Sequence, residues 1–292
     1  MKNKQFKIIA GPCAVESEGQ IMAIAKGIAD IVQKSDNQSK IFSPIKYLRG
    51  GIWKPRTRPN MFEGLGEVAL PWLYAAAVNH NMLPITEVGT AAQLAKAIDN
   101  GFTSVWIGAR TSGDPFAVND MCEVLRKNKN FTFEVFVKNP LVEDLDLWIG
   151  AIERFKAVCD NVHLIYRGTY MTNDKRTLLE SEKVDCACYR NECNMGVVEQ
   201  MKCKFPDSDL FIDPSHITGN HNYVEPFINE MIRNYDKVVD GFMIETHINR
   251  EDAITDRKQQ LELDQLKKLY VSERNQKMID KDSLIAYEDR LS

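Results

Sequence analysis

The chain has 292 residues, 44% hydrophobic and 27% charged, with a formal net charge of −4. That composition supplies ample apolar material for a sizeable core and excludes a disordered chain, while the mild acidity gives no global attraction to nucleic acid or an anionic membrane. Seven cysteines without the spacing of a small secreted domain imply reduced thiols. The basic start, Met1 to Lys7, leads into an apolar run too short for a signal peptide, and no segment approaches membrane-spanning length, so a cytoplasmic protein is expected.

Short apolar runs alternate with helical patterns along the chain. Phe6 to Ala10 reads as a strand and Ser17 to Lys34 as an amphipathic helix. Strands are expected at Ile45 to Leu48, Met82 to Thr86, Ser104 to Ile107, Phe131 to Val137 and Val162 to Ile165, with helices at Glu63 to Asn79, Ala91 to Asp99, Phe116 to Lys127 and Leu141 to Cys159 between and after them. A less regular stretch, Arg167 to Asn191, precedes a helix at Met195 to Lys204. Strand Leu210 to Ile212, helix Tyr223 to Asn234, strand Gly241 to Ile244 and helix Gln259 to Tyr270 complete the alternation.

Eight strands alternating with eight helices predict a single α/β domain, a closed (β/α)8 TIM barrel over residues 1–270, with 271–292 as a short, charged, helical C-terminal tail. The Gly11-Pro12-Cys13 turn lacks the glycine pattern of a dinucleotide-binding sheet. In such a barrel, functional residues belong at the strand exits. Those exits carry Cys13, Arg49, Lys54, Arg56, Glu87, Arg110, Lys138, Arg167, Asp213, His216 and Glu245.

The loop Leu48 to Pro59 concentrates Arg49, Lys54, Arg56 and Arg58 in a segment stiffened by Pro55 and Pro59, a composition suited to phosphate or carboxylate. With Arg110, Lys138 and Arg167 at later exits it forms a ring of cations, more charge than one phosphate requires, which points to substrates bearing several negative groups. Cys13, His216, Glu245 and Asp256 form a second group whose sulfur, nitrogen and oxygen donors suit a divalent ion of the Mn, Fe or Zn type. Buried thiols and rim salt bridges are the plain alternatives for the two groups. Cys186, Cys188, Cys193 and Cys203 lack the paired knuckles of structural zinc and read as buried thiols.

Gly11-Pro12-Cys13-Ala14-Val15-Glu16-Ser17, Lys54-Pro55-Arg56-Thr57, Ile107-Gly108-Ala109-Arg110, Asp213-Pro214-Ser215-His216 and Gly241-Phe242-Met243-Ile244-Glu245 together resemble the type I, β-subgroup 3-deoxy-D-arabino-heptulosonate 7-phosphate (DAHP) synthases. The resemblance implies condensation of phosphoenolpyruvate with erythrose 4-phosphate, the entry step of the shikimate pathway of aromatic biosynthesis. It also implies Cys13, His216, Glu245 and Asp256 as metal ligands. By the same likeness phosphoenolpyruvate is held by Lys54, Arg110, Lys138 and Arg167, the aldose phosphate by Arg49, Arg56 and Thr57, and Asp213 counts with the substrate-binding set. Lys54, His216 and Glu87 are the catalytic candidates, with acid and base work open among Glu87, His216 and solvent at the metal. A homo-oligomer is expected from the same likeness. Octulosonate 8-phosphate synthases, which use arabinose 5-phosphate, share several of these elements; an inactive barrel serving as a binding partner is the alternative of a different class.

Overall fold

The structure, a computed structural model, describes residues 4–34, 39, 41–128, 132–173, 175 and 188–271. Eight apolar runs pair side by side in chain order as β1 (Lys7–Gly11), β2 (Tyr47–Arg49), β3 (Leu83–Val88), β4 (Ser104–Ile107), β5 (Glu134–Lys138), β6 (Asn161–Tyr166), β7 (Leu210–Ile212) and β8 (Gly241–His247). Every pairing between neighbours is parallel, and β8 returns to β1 with Gly241 opposite Lys7 and Glu245 opposite Gly11. The sheet therefore closes into a (β/α)8 barrel with no open edge.

Helices α1 (Glu18–Lys34), α2 (Leu70–Val78), α3 (Ala91–Asp99), α4 (Pro115–Lys127), α5 (Leu145–Lys156), α6 (Met195–Lys204), α7 (His221–Asn234) and α8 (Leu263–Val271) lie in the connections and after the last strand. Their starts follow from capping side chains: Thr90 accepts from Gln93 N–H, Asp114 from Phe116 and Ala117 N–H, and Asp144 from Leu147 N–H. Asp144 sets the start of α5 at Leu145, four residues later than the apolar pattern suggests. The second helix also begins late. Gly64 and Gly66 have φ of 96° and 70°, and a Cβ on Gly64 would lie 2.0 Å from the Ile52 carbonyl oxygen, so the chain turns there, passes through a single 3-10 turn and becomes α-helical at Leu70.

Two apolar layers separate cleanly. The larger packs strand residues such as Ile8, Leu48, Val105, Val135, Leu164 and Phe242 against the helices. The smaller fills the barrel with one side chain from each strand: Ile9, Tyr47, Ile85, Trp106, Phe136, Ile165, Phe211 and Met243. Because side chains on a strand repeat every second residue on the same face, the positions two further on form the next inward layer. They are Gly11, Arg49, Glu87, Gly108, Lys138, Arg167, Asp213 and Glu245.

Several strands run further than the apolar pattern implies, so Arg49, Glu87, Lys138 and Glu245 belong to the last residues of strands rather than to the loops beyond. For β8 the cause is a two-residue strand, Leu261–Glu262, that pairs with Thr246 and His247. Gln259 to Glu262 are correspondingly not helical, and α8 starts at Leu263. The irregular stretch after β6 contains a short antiparallel pair, Thr169–Tyr170 with Asn191–Glu192, which strand periodicity cannot signal at that length. The tail expected at 271–292 lies outside the described residues after Val271, as does Cys186.

Candidate active site

The inward layer above the apolar plug is a buried floor of charge. Arg49, Lys138, Arg167, Asp213 and Glu245 are all buried, and each lies on or directly after a different strand. Lys138 Nζ lies 2.7 Å from Asp213 Oδ2, and Arg49 Nη2 donates to Glu245 Oε1 at 3.0 Å. The Arg49 guanidinium also sits over the Trp106 ring, 4.9 Å from its centroid. Its Nε and Nη1 have no hydrogen-bond partner among the described residues, a costly state for buried donors unless an anion is meant to complete it. Glu87 accepts from Trp106 Nε1 at 3.2 Å, and Gly108 leaves room for its carboxylate, which a Cβ there would displace at 2.0 Å from Oε1.

Asp213 caps the one-turn helix Pro214–Thr218 through the His216 N–H at 3.0 Å, which brings His216 Nδ1 to 2.8 Å from Asp213 Oδ2. Burial opposes charge on Asp213, but His216 and Lys138 outweigh it and hold its carboxyl well below the usual range. Burial likewise pushes His216 down, against the pull of Asp213, which favours the neutral imidazole. His216 Nδ1 meets the Asp213 carboxylate at ion-pair distance but outside hydrogen-bond geometry, and Nε2 faces Glu245 Oε1, 3.9 Å away.

Cys13 Sγ lies 3.1 Å from Asp256 Oδ2, and the Lys54 ammonium reaches both, at 2.6 Å from the sulfur and 3.5 Å from the carboxylate. Burial together with Glu245 and Asp256 pushes the Cys13 thiol up. For Lys54, burial favours the neutral form, yet Cys13, Glu245 and Asp256 outweigh it and keep the ammonium charged. Asp256 itself takes a left-handed backbone, φ 45°, a strained geometry for a residue other than glycine. Burial opposes its charge too, but Lys54 and His216 hold its carboxyl low.

These four donors fit a divalent transition ion by chemistry. Glu245 and Asp256 are held ionised, His216 presents a lone pair, and the group already receives one cation, the Lys54 ammonium. The side chains stand as two pairs, Cys13 with Asp256 and His216 with Glu245, and among the described residues no three His, Cys, Asp or Glu side chains close on a single point.

Above the floor opens a cleft of about 760 Å³ lined by Lys54, Arg56, Thr57, Glu87, Arg110, Lys138, Arg167, His216 and Asp256 among others. Arg49, Asp213, Glu245 and Cys13 lie beneath it rather than on its wall. Arg110 donates to Thr57 Oγ1 at 3.0 Å, and Arg56 Nε to the Phe62 carbonyl at 2.8 Å, which hold the basic loop folded over the cleft. Arg167 is braced by Asn191 Oδ1 at 3.2 Å and by Asn139, which accepts from its backbone N–H at 2.7 Å; burial, with Arg190 and Arg110 nearby, lowers its guanidinium to about 10.

Arg190 and Gln259 are site residues that the sequence pattern does not single out. Arg190 lines the cleft and donates to Gln259 Oε1 at 2.8 Å. The pair of glutamines reads as the start of a helix, and a signal for their true role would have been two buried amides so close to Asp256. Cys188 and Cys203 are exposed and Cys193 half-buried, so the expectation of buried thiols fails there: α6 turns Cys203 to solvent.

Fold and site together define a barrel enzyme of the class that binds polyanionic small molecules at the C-terminal ends of its strands. The chain matches the DAHP synthetase I family over residues 2–280 and belongs to it. A phospho-2-dehydro-3-deoxyheptonate aldolase of Thermotoga maritima is 27% identical over 267 residues, 91% of this chain and 68% of that protein. A crystal structure of DAHP synthase from Thermotoga maritima superposes with a TM-score of 0.72 at 24% identity, covering 97% of this chain and 70% of that one. A truncated form of the synthase from the same organism gives 0.70 at 23%, covering 97% and 88%. At these identities the superpositions establish the shared fold.

Proposed function

We propose that this chain condenses phosphoenolpyruvate with erythrose 4-phosphate and water to give DAHP and phosphate. The observation that carries the reading is the convergence of Lys54, Arg110, Lys138 and Arg167 on one cleft, above a buried Arg49 that keeps two donors unpartnered. Two phosphates and a carboxylate are what such a site lacks. Lys54, Arg110, Lys138 and Arg167 hold phosphoenolpyruvate and spread its charge, while Arg56 and Thr57 take the aldose phosphate. The enol carbon attacks the aldehyde carbon, water adds to the neighbouring carbon as positive charge develops there, and the C–O bond to phosphate breaks with release of inorganic phosphate. Glu87, at the cleft wall, or His216 where it does not ligate the ion, would move the protons of these steps.

Cys13, His216, Glu245 and Asp256 would hold a divalent ion, whose chemistry is to polarise the aldehyde oxygen as a Lewis acid. Residues 1–270 form the catalytic unit in this reading, with 271–292 an appendage, and reduced thiols such as Cys13, Cys122 and Cys159 suit a cytoplasmic setting. No helix among the described residues is long and apolar enough to cross a membrane. Self-association belongs to the reading as well. From Val68 to Val78 no residue is charged, yet Val68, Tyr74 and Val78 are exposed, a face that pairs with its own copy without opposing like charges.

The test is phosphate release from phosphoenolpyruvate with erythrose 4-phosphate, and separately with arabinose 5-phosphate, in the presence of Mn²⁺. Turnover with the four-carbon aldose that chelation abolishes and Mn²⁺ restores is expected. Faster turnover with arabinose 5-phosphate assigns the octulosonate chemistry instead, and none with either sugar leaves a binding barrel.

A further inference from the structure

Gln259 and Gln260 are both buried on the loop between β8 and α8, and their amides tie together the segments that carry Cys13, Glu245 and Asp256. Gln260 Oε1 accepts from the Cys13 backbone N–H at 3.0 Å, and its Nε2 donates to the Thr255 carbonyl at 2.9 Å. Gln259 Nε2 donates to Glu245 Oε2 at 2.7 Å, while its Oε1 accepts from Arg190 Nη1 at 2.8 Å. The same Arg190 nitrogen lies 3.4 Å from Asp256 Oδ1. A buried amide is costly to desolvate, and the arrangement is tolerable because both ends of Gln259 are satisfied at once.

We propose that Gln259 is the positioning residue of the cation site, acting on two carboxylates through one amide. By taking Glu245 Oε2 it leaves Oε1 turned toward Arg49 and His216, and by taking Arg190 it steadies the loop that presents Asp256. The assignment rests on Cys13, His216, Glu245 and Asp256 being metal donors. It adds that their geometry is set by a residue that is not a ligand. Arg190 also faces the cleft, so a substrate phosphate and the cation site share one guanidinium.

The experiment is a Mn²⁺ titration of the full chain, followed by the electron paramagnetic resonance signal of the free ion, in wild type, Gln259→Met and Gln259→Asn. Methionine keeps the length and volume but removes both bonds; asparagine keeps the amide but is one methylene too short to span from Glu245 to Arg190. Both variants should weaken Mn²⁺ binding by about 10- to 100-fold, whatever melting temperature the metal-free chain loses with the two buried bonds. Their turnover should recover at saturating Mn²⁺, which a merely structural defect would not allow. Wild-type affinity in a variant overturns the assignment while leaving the metal reading intact. A wild-type chain that binds no Mn²⁺ overturns both. Should Gln259→Met fail to fold, Gln259→Asn decides by the same comparison.

Discussion

The two mouths of the barrel carry similar residue types and use them differently. At the N-terminal mouth charges stand in opposite pairs: Lys4 and Lys202 flank Asp240 at 3.0 and 2.8 Å, Lys46 lies 3.3 Å from Glu134, and Lys7 lies 2.5 Å from Asp209. At the C-terminal mouth cations outnumber carboxylates, Arg49 keeps unpartnered donors, and a cleft opens above them. Pairing closes one end for stability; surplus charge at the other is held in place by strands and waits for anions. The lesson is that a charged residue's role in this fold is set by the end of the strand on which it falls.

The largest separation between the mouths should come from Asp213→Asn. It removes the carboxylate charge that Lys138 and His216 Nδ1 both meet, so turnover should fall roughly a thousand-fold in the phosphate-release assay, in the range of lost preorganised electrostatics. A loss under about tenfold would make Asp213 a structural pair like those below. Arg110→Ala should come next. Arg110 is exposed at the rim, so the stability change should stay within about 0.5 kcal/mol by chemical denaturation, while the Michaelis constant for phosphoenolpyruvate rises about tenfold or more.

The smallest effect on turnover belongs to Asp240→Asn at the opposite mouth. Burial opposes charge on Asp240, but Lys202, the Leu210 N–H and Lys4 hold its carboxyl below the usual range. The folded chain therefore binds that proton less readily than the unfolded one. Its contribution is complete above the unfolded value near pH 4 and is lost as pH falls through the lower folded value. Asp240→Asn should lower the melting temperature at pH 7 with unchanged turnover, and the gap from wild type should close in acid. A gap that persists at the lowest pH where both fold would show that the carboxylate's charge is not what stabilises this mouth.

Much of the site was legible because the pleat makes it so. Once Ile9, Tyr47, Ile85 and their counterparts are taken as the inner apolar layer, the residues two positions on must face the same interior, and those are Arg49, Glu87, Lys138, Arg167, Asp213 and Glu245. Boundaries were less legible. The late start of α2 depends on the contact between Gly64 and Ile52, and the extension of β8 on its pairing with Leu261 and Glu262, neither of which has a local periodic signature.

The sequence by itself determined the alternation of strands and helices, the closed parallel barrel and the strand-end residues of its C-terminal mouth, though not Arg190 or Gln259, because period and pleat are local properties of the chain. The tertiary structure alone decided who pairs with whom. Arg49 meets Glu245 across 196 residues and Lys138 meets Asp213 across 75, so the buried floor exists only after closure. Closure likewise places the Lys54 ammonium between Cys13 and Asp256 and turns Gln259 from an apparent helix start into a brace between Glu245 and Arg190. The physical reason is that hydrogen bonds and ion pairs depend on ångström distances between side chains, which only the completed barrel sets.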